Sequence, residues 1–240
     1  MKQKNVFMNI KIELLANDDY NVYEDFLKSN EKTLFYCSIK YKLFLEKILN
    51  CKSEYWLAKK DNIIVGILPL MYKEGVFGKV YNSLPFYGSN GGIIASNIEV
   101  HQMLLSQYKK IITLPEVASS NYIENPLSGS EFEITIESTE TDYRIGQFTP
   151  LDLDFNDAIP NGEVLLSSFH HKTRNMIRKA LKNSIQVKVD NAKTDFLYEI
   201  HKENMLAIGG KPKKESFFKE IPNFFQENKD YKIYIAEKDG

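Results

Sequence analysis

Tyr55-Trp56-Leu57-Ala58-Lys59-Lys60-Asp61-Asn62 and Ile233-Tyr234-Ile235-Ala236-Glu237-Lys238-Asp239-Gly240 are two versions of one pattern. Each runs from aromatic and aliphatic residues through Ala and two charged residues into Asp-Asn or Asp-Gly. The first part favours a strand. The last two residues favour a tight hairpin turn, because they tolerate positive φ. Upstream, Ile10-Lys11-Ile12-Glu13-Leu14 and Ile185-Gln186-Val187-Lys188-Val189 both alternate like half-buried strands. A helical pattern follows each, over 20–29 and 195–207, and then a second apolar helix, over 39–49 and 216–225. The chain thus repeats the order strand, helix, helix, strand.

In the first repeat the hairpin continues with an apolar return strand over 63–71, a further strand over 79–86 and a helix over 98–108. In the second, residue 240 falls at the turn, and a lone outer strand would expose a row of unpaired backbone groups. The expectation is that the natural polypeptide continues. The fold class is α/β (α+β): tandem units with mixed, mostly antiparallel sheets flanked by helices, the second incomplete. The first unit is expected over residues 1–148, and 149–240 hold a linker, a basic helix and the start of the second. Pro150, Pro160 and Gly162 punctuate the join between 147 and 162, where 149–153 reads as a strand reaching across.

At 240 residues, 43% hydrophobic and 26% charged, the composition is globular and suits two domains. A net charge of −1 excludes a surface that grips nucleic acid all over, and no DNA partner is expected. Basic residues concentrate over 172–188 and acidic ones over 131–157, so any anion site is local. Cys37 and Cys51 form neither a disulfide framework nor a metal pair, and no metal site is expected. With no signal peptide and no apolar run of bilayer length, the reading is cytoplasmic, with at most peripheral membrane contact.

The segment over 165–183 is the most telling for chemistry. Read as one helix, it places Leu166, Phe169, Thr173, Met176, Ile177 and Ala180 on one side, packed away. Arg174, Arg178 and Lys182 climb the other, with Lys172 and Lys179 beside them. Such a fork of cations suits a diphosphate or another polyanion. A solvated helix face is the ordinary alternative.

The duplicated units and the run Lys172-x-Arg174-x-x-Ile177-Arg178-Lys179-Ala180, leading into a strand, resemble the FemABX-type aminoacyltransferases and their GNAT-like relatives. Residues 199–218, 65–70 and 85–93 fit the same series in the same order, so the resemblance covers nearly the whole chain. It implies transfer of an aminoacyl or acyl group onto an amine of a cell-envelope precursor, peptidoglycan or surface polysaccharide, in a bacterial-type cytoplasm. The implied donor is aminoacyl-tRNA, with no tightly bound cofactor; acetyl-CoA or another acyl-CoA is the alternative. The implied acceptor is linked to a nucleotide or lipid diphosphate, which gives Lys172, Arg174, Arg178 and Lys179 a purpose. The family commonly has glycine after the basic helix, whereas this chain has Asn183-Ser184, and Asn183 is the expected left-handed cap.

Tyr87-Gly88-Ser89-Asn90-Gly91-Gly92 follows a strand and precedes a helix. Backbone amides in such a loop can meet an anion or a carbonyl. Tyr87, Asn90, Gly91 and Gly92 are therefore candidate substrate contacts, against a turn chosen only for its backbone angles. The loop lacks the order and the basic lead residue of an acetyl-CoA pyrophosphate cradle. His101, His170, His171 and His201 form no catalytic or metal pattern and read as structural or exposed, and Trp56 as core. No catalytic base is assigned, since an aminoacyl ester is already activated and positioning can suffice. Two other functions compete: an acetyl-CoA-dependent N-acetyltransferase acting on an amino sugar or similar amine, and a non-catalytic module binding RNA or anionic lipid through the basic helix.

Overall fold

The first repeat folds as the alternation dictates, into β1 (Ile10–Leu14), α1 (Tyr20–Ser29), α2 (Ile39–Leu49) and β2 (Lys52–Lys60). The computed structural model describes residues 10–83, 91–127, 136–143 and 163–238. The chain divides into two compact units, Met1–Thr141 and Asp142–Gly240. The expected join between 147 and 162, including the strand over 149–153, lies outside the described residues.

In the first unit, α2 begins where the Ser38 hydroxyl accepts from the Tyr41 amide at 3.2 Å, and ends on left-handed Asn50 (φ 49°). Asp61 and Asn62 both take positive φ, 50° and 66°, and turn β2 into β3 (Ile63–Gly75). Next come β4 (Gly78–Asn82), β5 (Ile94–Ala95), α3 (Ile98–Ile112) and β6 (Val117–Asn121). The strand expected over 79–86 starts at Gly78 and ends at Asn82, and residues 84–86 of that expectation lie outside the described residues. The sheet runs β1-β2-β3-β4-β6, with β5 beside β3. Its pairs are antiparallel except β4 with β6, which is parallel. Neither β5 nor β6 was expected. β5 has two residues, and β6 reads Val-Ala-Ser-Ser-Asn, with no apolar alternation to betray it.

Helices cover both faces of this sheet. Leu68, Leu70 and Tyr72 of β3 pack with Val100, Leu104 and Tyr108 of α3. Successive strand residues point to opposite faces, so Ile67 and Met71 are buried on the other side. There the Tyr23 ring of α1 lies 6.1 Å from the Tyr55 ring of β2, and the Tyr23 hydroxyl donates to the Cys37 carbonyl at 2.8 Å. Burial on both sides makes the centre of β3 a continuous apolar run. Trp56 is half-buried against the α3 side of the core. Both cysteines are free and buried, and burial raises their thiols to about 12 for Cys37 and about 11 for Cys51.

In the second unit, α4 (Glu163–Ser168), α5 (His171–Lys182) and β7 (Gln186–Val189) come first. They are followed by α6 (Thr194–Ala207), α7 (Glu215–Lys219), α8 (Ile221–Phe224) and β8 (Tyr234–Glu237). β7 pairs antiparallel with β8, from Gln186 opposite Glu237 to Val189 opposite Tyr234, as β1 pairs with β2. The repeat in the sequence is therefore a repeat in topology.

Two helix expectations need correction. The helix expected over 216–225 is two short helices meeting at Glu220. Pro222 opens the second, where its missing N–H costs nothing. The helix expected over 165–183 is also two, broken at Phe169 and His170. Ser168 turns its hydroxyl back onto the Leu165 carbonyl at 2.7 Å. His170 is extended (ψ 146°), and its Nδ1 accepts from the Lys172 amide at 3.4 Å, so it serves as the N-cap of α5.

Candidate functional site

α5 carries Lys172, Arg174, Arg178, Lys179 and Lys182 and no acidic residue. Arg174 and Arg178 are one turn apart and therefore neighbours on the helix surface. Lys172, Arg178 and Lys179 are exposed, and Arg174 is half-buried. The Arg178 guanidinium donates to the Asn175 side chain at 3.4 Å. None of the five cations has a carboxylate partner among the described residues, whereas Lys188, just beyond, is paired with Glu237 at 2.8 Å. α5 therefore carries a run of cations with no carboxylate on the same helix.

The apolar stripe of this helix is not packed away as expected. Met176 is 64% exposed, Thr173 is exposed, and Leu166, Phe169, Ile177 and Ala180 are only half-buried. Arg174 shares the less exposed side with Ile177 and Ala180, so the cations and the apolar residues are not cleanly opposed. The reason is local: among the described residues of this unit the sheet has two strands, too little surface to receive a whole helix face.

The end of α5 is sharply defined. The Ile185 amide donates to the Ala180 carbonyl at 3.2 Å and the Ser184 amide to the Leu181 carbonyl at 3.0 Å. This is a Schellman closure, and its left-handed residue is Ser184 (φ 56°). Asn183, expected there, stays at φ −91° and sends its side-chain amide to the Lys179 carbonyl at 2.7 Å. The closure turns the chain directly into β7, so the cationic helix is fixed to the first strand of the second repeat.

Of the glycine-rich loop, Tyr87 and Asn90 lie outside the described residues, and Gly91 and Gly92 are buried. The Gly92 amide donates to the Ser83 carbonyl at 2.9 Å. Gly92 has φ 80°, and a Cβ there would lie 2.7 Å from the Ile123 carbonyl oxygen. Its amide is therefore already used, and its lack of a side chain lets two backbone segments touch. The polar groups around it went unnoticed in the sequence. Buried Ser83 accepts from the Ile123 amide at 2.7 Å. Buried Asn125 donates to the Lys32 carbonyl at 2.7 Å and accepts from the Leu127 amide at 2.9 Å. Lone Ser and Asn residues in irregular segments give no periodic signal.

A cavity of about 590 Å³ in the second unit was also unexpected; Asp190, Asn191, Pro222, Glu227 and Tyr231 help to line it. Asn191 is buried and fully engaged, accepting from the Ile233 amide at 2.8 Å and donating to Glu227 and Asn228 at 3.1 Å each. His101 and His201 take structural positions, while His170 caps α5 and His171 is exposed. His101 is buried in α3, where desolvation pushes its imidazole pKa down. His201 accepts from the Lys213 amide at 3.0 Å and lies against the Phe218 ring. No group of acidic, His and Cys side chains suited to a metal occurs among the described residues. No described helix is long and apolar enough to cross a membrane.

No protein-family model and no curated protein matches the chain. Among solved structures, the crystal structure of FemX aligns over 95% of this chain at 20% identity, with a TM-score of 0.64. The chain spans 58% of the FemX chain. A possible acetyltransferase from Clostridium difficile 630 aligns over 59% of this chain and 98% of its own, at 12% identity and a TM-score of 0.34. An aminoglycoside acetyltransferase from an uncultured soil metagenomic sample, in complex with sisomicin, aligns over 57% of this chain and 97% of its own, at 16% identity and a TM-score of 0.36. The chain therefore shares the fold of the part of FemX with which it aligns.

Proposed function

We propose that this chain belongs to a transferase that moves an aminoacyl or acyl group onto an amine of a cell-envelope precursor in the cytoplasm. The observation that carries this reading is α5, a helix with five cations and no carboxylate, joined to β7 of the second repeat in a FemX-like fold. Arg174 and Arg178, one turn apart, can each offer two parallel N–H groups to phosphate oxygens. Lys172 and Lys179 add charge without that geometry. The acceptor these groups fit is linked to a nucleotide or lipid diphosphate. The donor is an activated aminoacyl ester such as aminoacyl-tRNA, whose attack by an amine needs positioning more than a strong base.

An acyl-CoA donor is the alternative, and the Gly92 amide, already bonded to Ser83, is not free to hold its pyrophosphate. The exposed cations of α5 would serve RNA as well, and that reading predicts a steep loss of affinity with salt.

The test has two parts. Calorimetry with a uridine-diphosphate-linked amino sugar should show at least tenfold weaker binding for Arg174→Ala and for Arg178→Ala, with unchanged circular dichroism. Equal affinity in both variants overturns the anion-clamp role. Incubation with aminoacyl-tRNA or acetyl-CoA and candidate precursors, followed by mass measurement, separates the donors. An added amino-acid residue supports the reading, an added acetyl group assigns the alternative donor, and an unchanged acceptor rejects both.

A further inference from the structure

The sheet of the first unit contains two hairpins with opposite chemistry at their tips. The β2–β3 turn is Asp61-Asn62, polar and left-handed, as a solvent-facing turn should be. The β3–β4 turn is Val76-Phe77, held between paired Gly75 and Gly78, and these side chains are 96% and 91% exposed. Two bulky apolar residues at nearly full exposure on a turn contradict turn chemistry without any gain to the fold. Leu114 (42% exposed) and exposed Pro115 belong to the same end of the unit, because the Lys79 amide donates to the Glu116 carbonyl at 2.7 Å.

The tip is firmly mounted. Gly78 takes φ 125°, and a Cβ there would lie 2.5 Å from the Glu116 carbonyl oxygen, so the hairpin presses on the turn that leads into β6. The Lys79 ammonium adds an ion pair to Glu116 at 3.6 Å and sits 5.1 Å from the Tyr72 ring centre. Around the apolar tip the charge is predominantly positive. The hairpin residues 72–80 and the segment 109–116 carry Lys73, Lys79, Lys109 and Lys110 against Glu74 and Glu116. Lys109 and Lys110 lie in the last turn of α3, and Thr113, directly after that helix, donates to both of their carbonyls.

Apolar side chains at a rigid projecting tip, with ammonium groups set behind them, match the interface of an anionic bilayer. The apolar groups enter the acyl boundary, while the lysines stay at headgroup level. We propose that the β3–β4 hairpin is a membrane-docking tip that inserts Val76 and Phe77 into an anionic lipid surface. The tip shares no residue with α5 and would bring the chain to a membrane by itself.

Co-sedimentation of the full chain with vesicles of equal parts phosphatidylglycerol and phosphatidylcholine tests it. The parent should bind, less well to phosphatidylcholine alone and less well at high salt. The double variant Val76→Ser with Phe77→Ser should bind at least tenfold more weakly with unchanged circular dichroism, since the tip contributes nothing to the core. Fluorescence of Phe77→Trp should be quenched by lipids brominated in the acyl chain, beyond any quenching of Trp56 in the parent. A parent that fails to bind, or a double variant that binds equally, overturns the proposal. So does a parent that forms dimers dissolved by the same double substitution, because the tip would then be an interface between copies.

Discussion

Gly92 shows how one residue can be read correctly for its backbone and incompletely for its purpose. Its pairing with Gly91 announces a bend, but the neighbour that requires glycine, Ile123, lies beyond α3 and β6 and leaves no local trace in the sequence. A side chain at φ 80° is strained by itself, and here it also meets a backbone oxygen that cannot rotate away. Gly92→Ala is expected to lower unfolding free energy by roughly 1–3 kcal/mol. Urea denaturation should show a lower midpoint with an unchanged slope. A midpoint equal to the parent's would show that the Ile123 segment yields, and that Gly92 is dispensable to packing. The substitution also bears on function. If Gly92→Ala folds but binds acceptor as the parent does, the loop's glycines serve the fold.

At the scale of elements, the sequence was most legible where local preference and packing agree. α1 and α2 occupy the residues that their apolar spacing predicts, because both present one stripe to a sheet already covered on its other face. Legibility failed where a side chain overrode the period. Ser168 and His170 interrupt a helical pattern with polar groups that bond the backbone, and Pro222 restarts a helix that periodicity runs through. The basic residues of α5 share one helix as their spacing predicts, yet the apolar stripe beside them is not buried, because amphipathicity alone does not say what a helix packs against. The end of that helix offers a direct check. Ser184 holds the left-handed position of the Schellman closure, a position that glycine takes without steric cost. Ser184→Gly should raise stability by about 0.5–1 kcal/mol by relieving the left-handed cost. It should leave anion binding by Arg174 and Arg178 unchanged. A loss of stability would mean that the Ser184 side chain makes a contribution larger than its backbone cost. Altered anion affinity would show that the closure sets the orientation of the cations.

For the whole molecule, the two units differ in how much apolar surface they remove from water. In the first, helices on both faces bury the centre of β3 and the facing residues of β2, with Leu57, Ile67, Leu68 and Leu70 fully enclosed. In the second, Met176, Val187, Phe196, Leu206 and Ile208 are all exposed, and β7 carries no buried residue. A two-stranded ribbon is marginal in water without an apolar face to rest on. Stability should therefore be uneven along the chain, and unfolding should not follow a single two-state transition. Native-state hydrogen exchange read by mass spectrometry is the suitable measurement. Amides of β2 and β3 should remain protected at least about a hundredfold longer than those of β7 and β8. Adding a diphosphate-linked acceptor should slow exchange in α5 and β7 while leaving β2 and β3 unchanged, because a ligand stabilises the states that bind it. Equal protection across both sheets would show that the second unit's exposed residues are covered in solution. Slowing confined to the first unit would place the acceptor away from α5 and remove the basis for the anion-clamp reading.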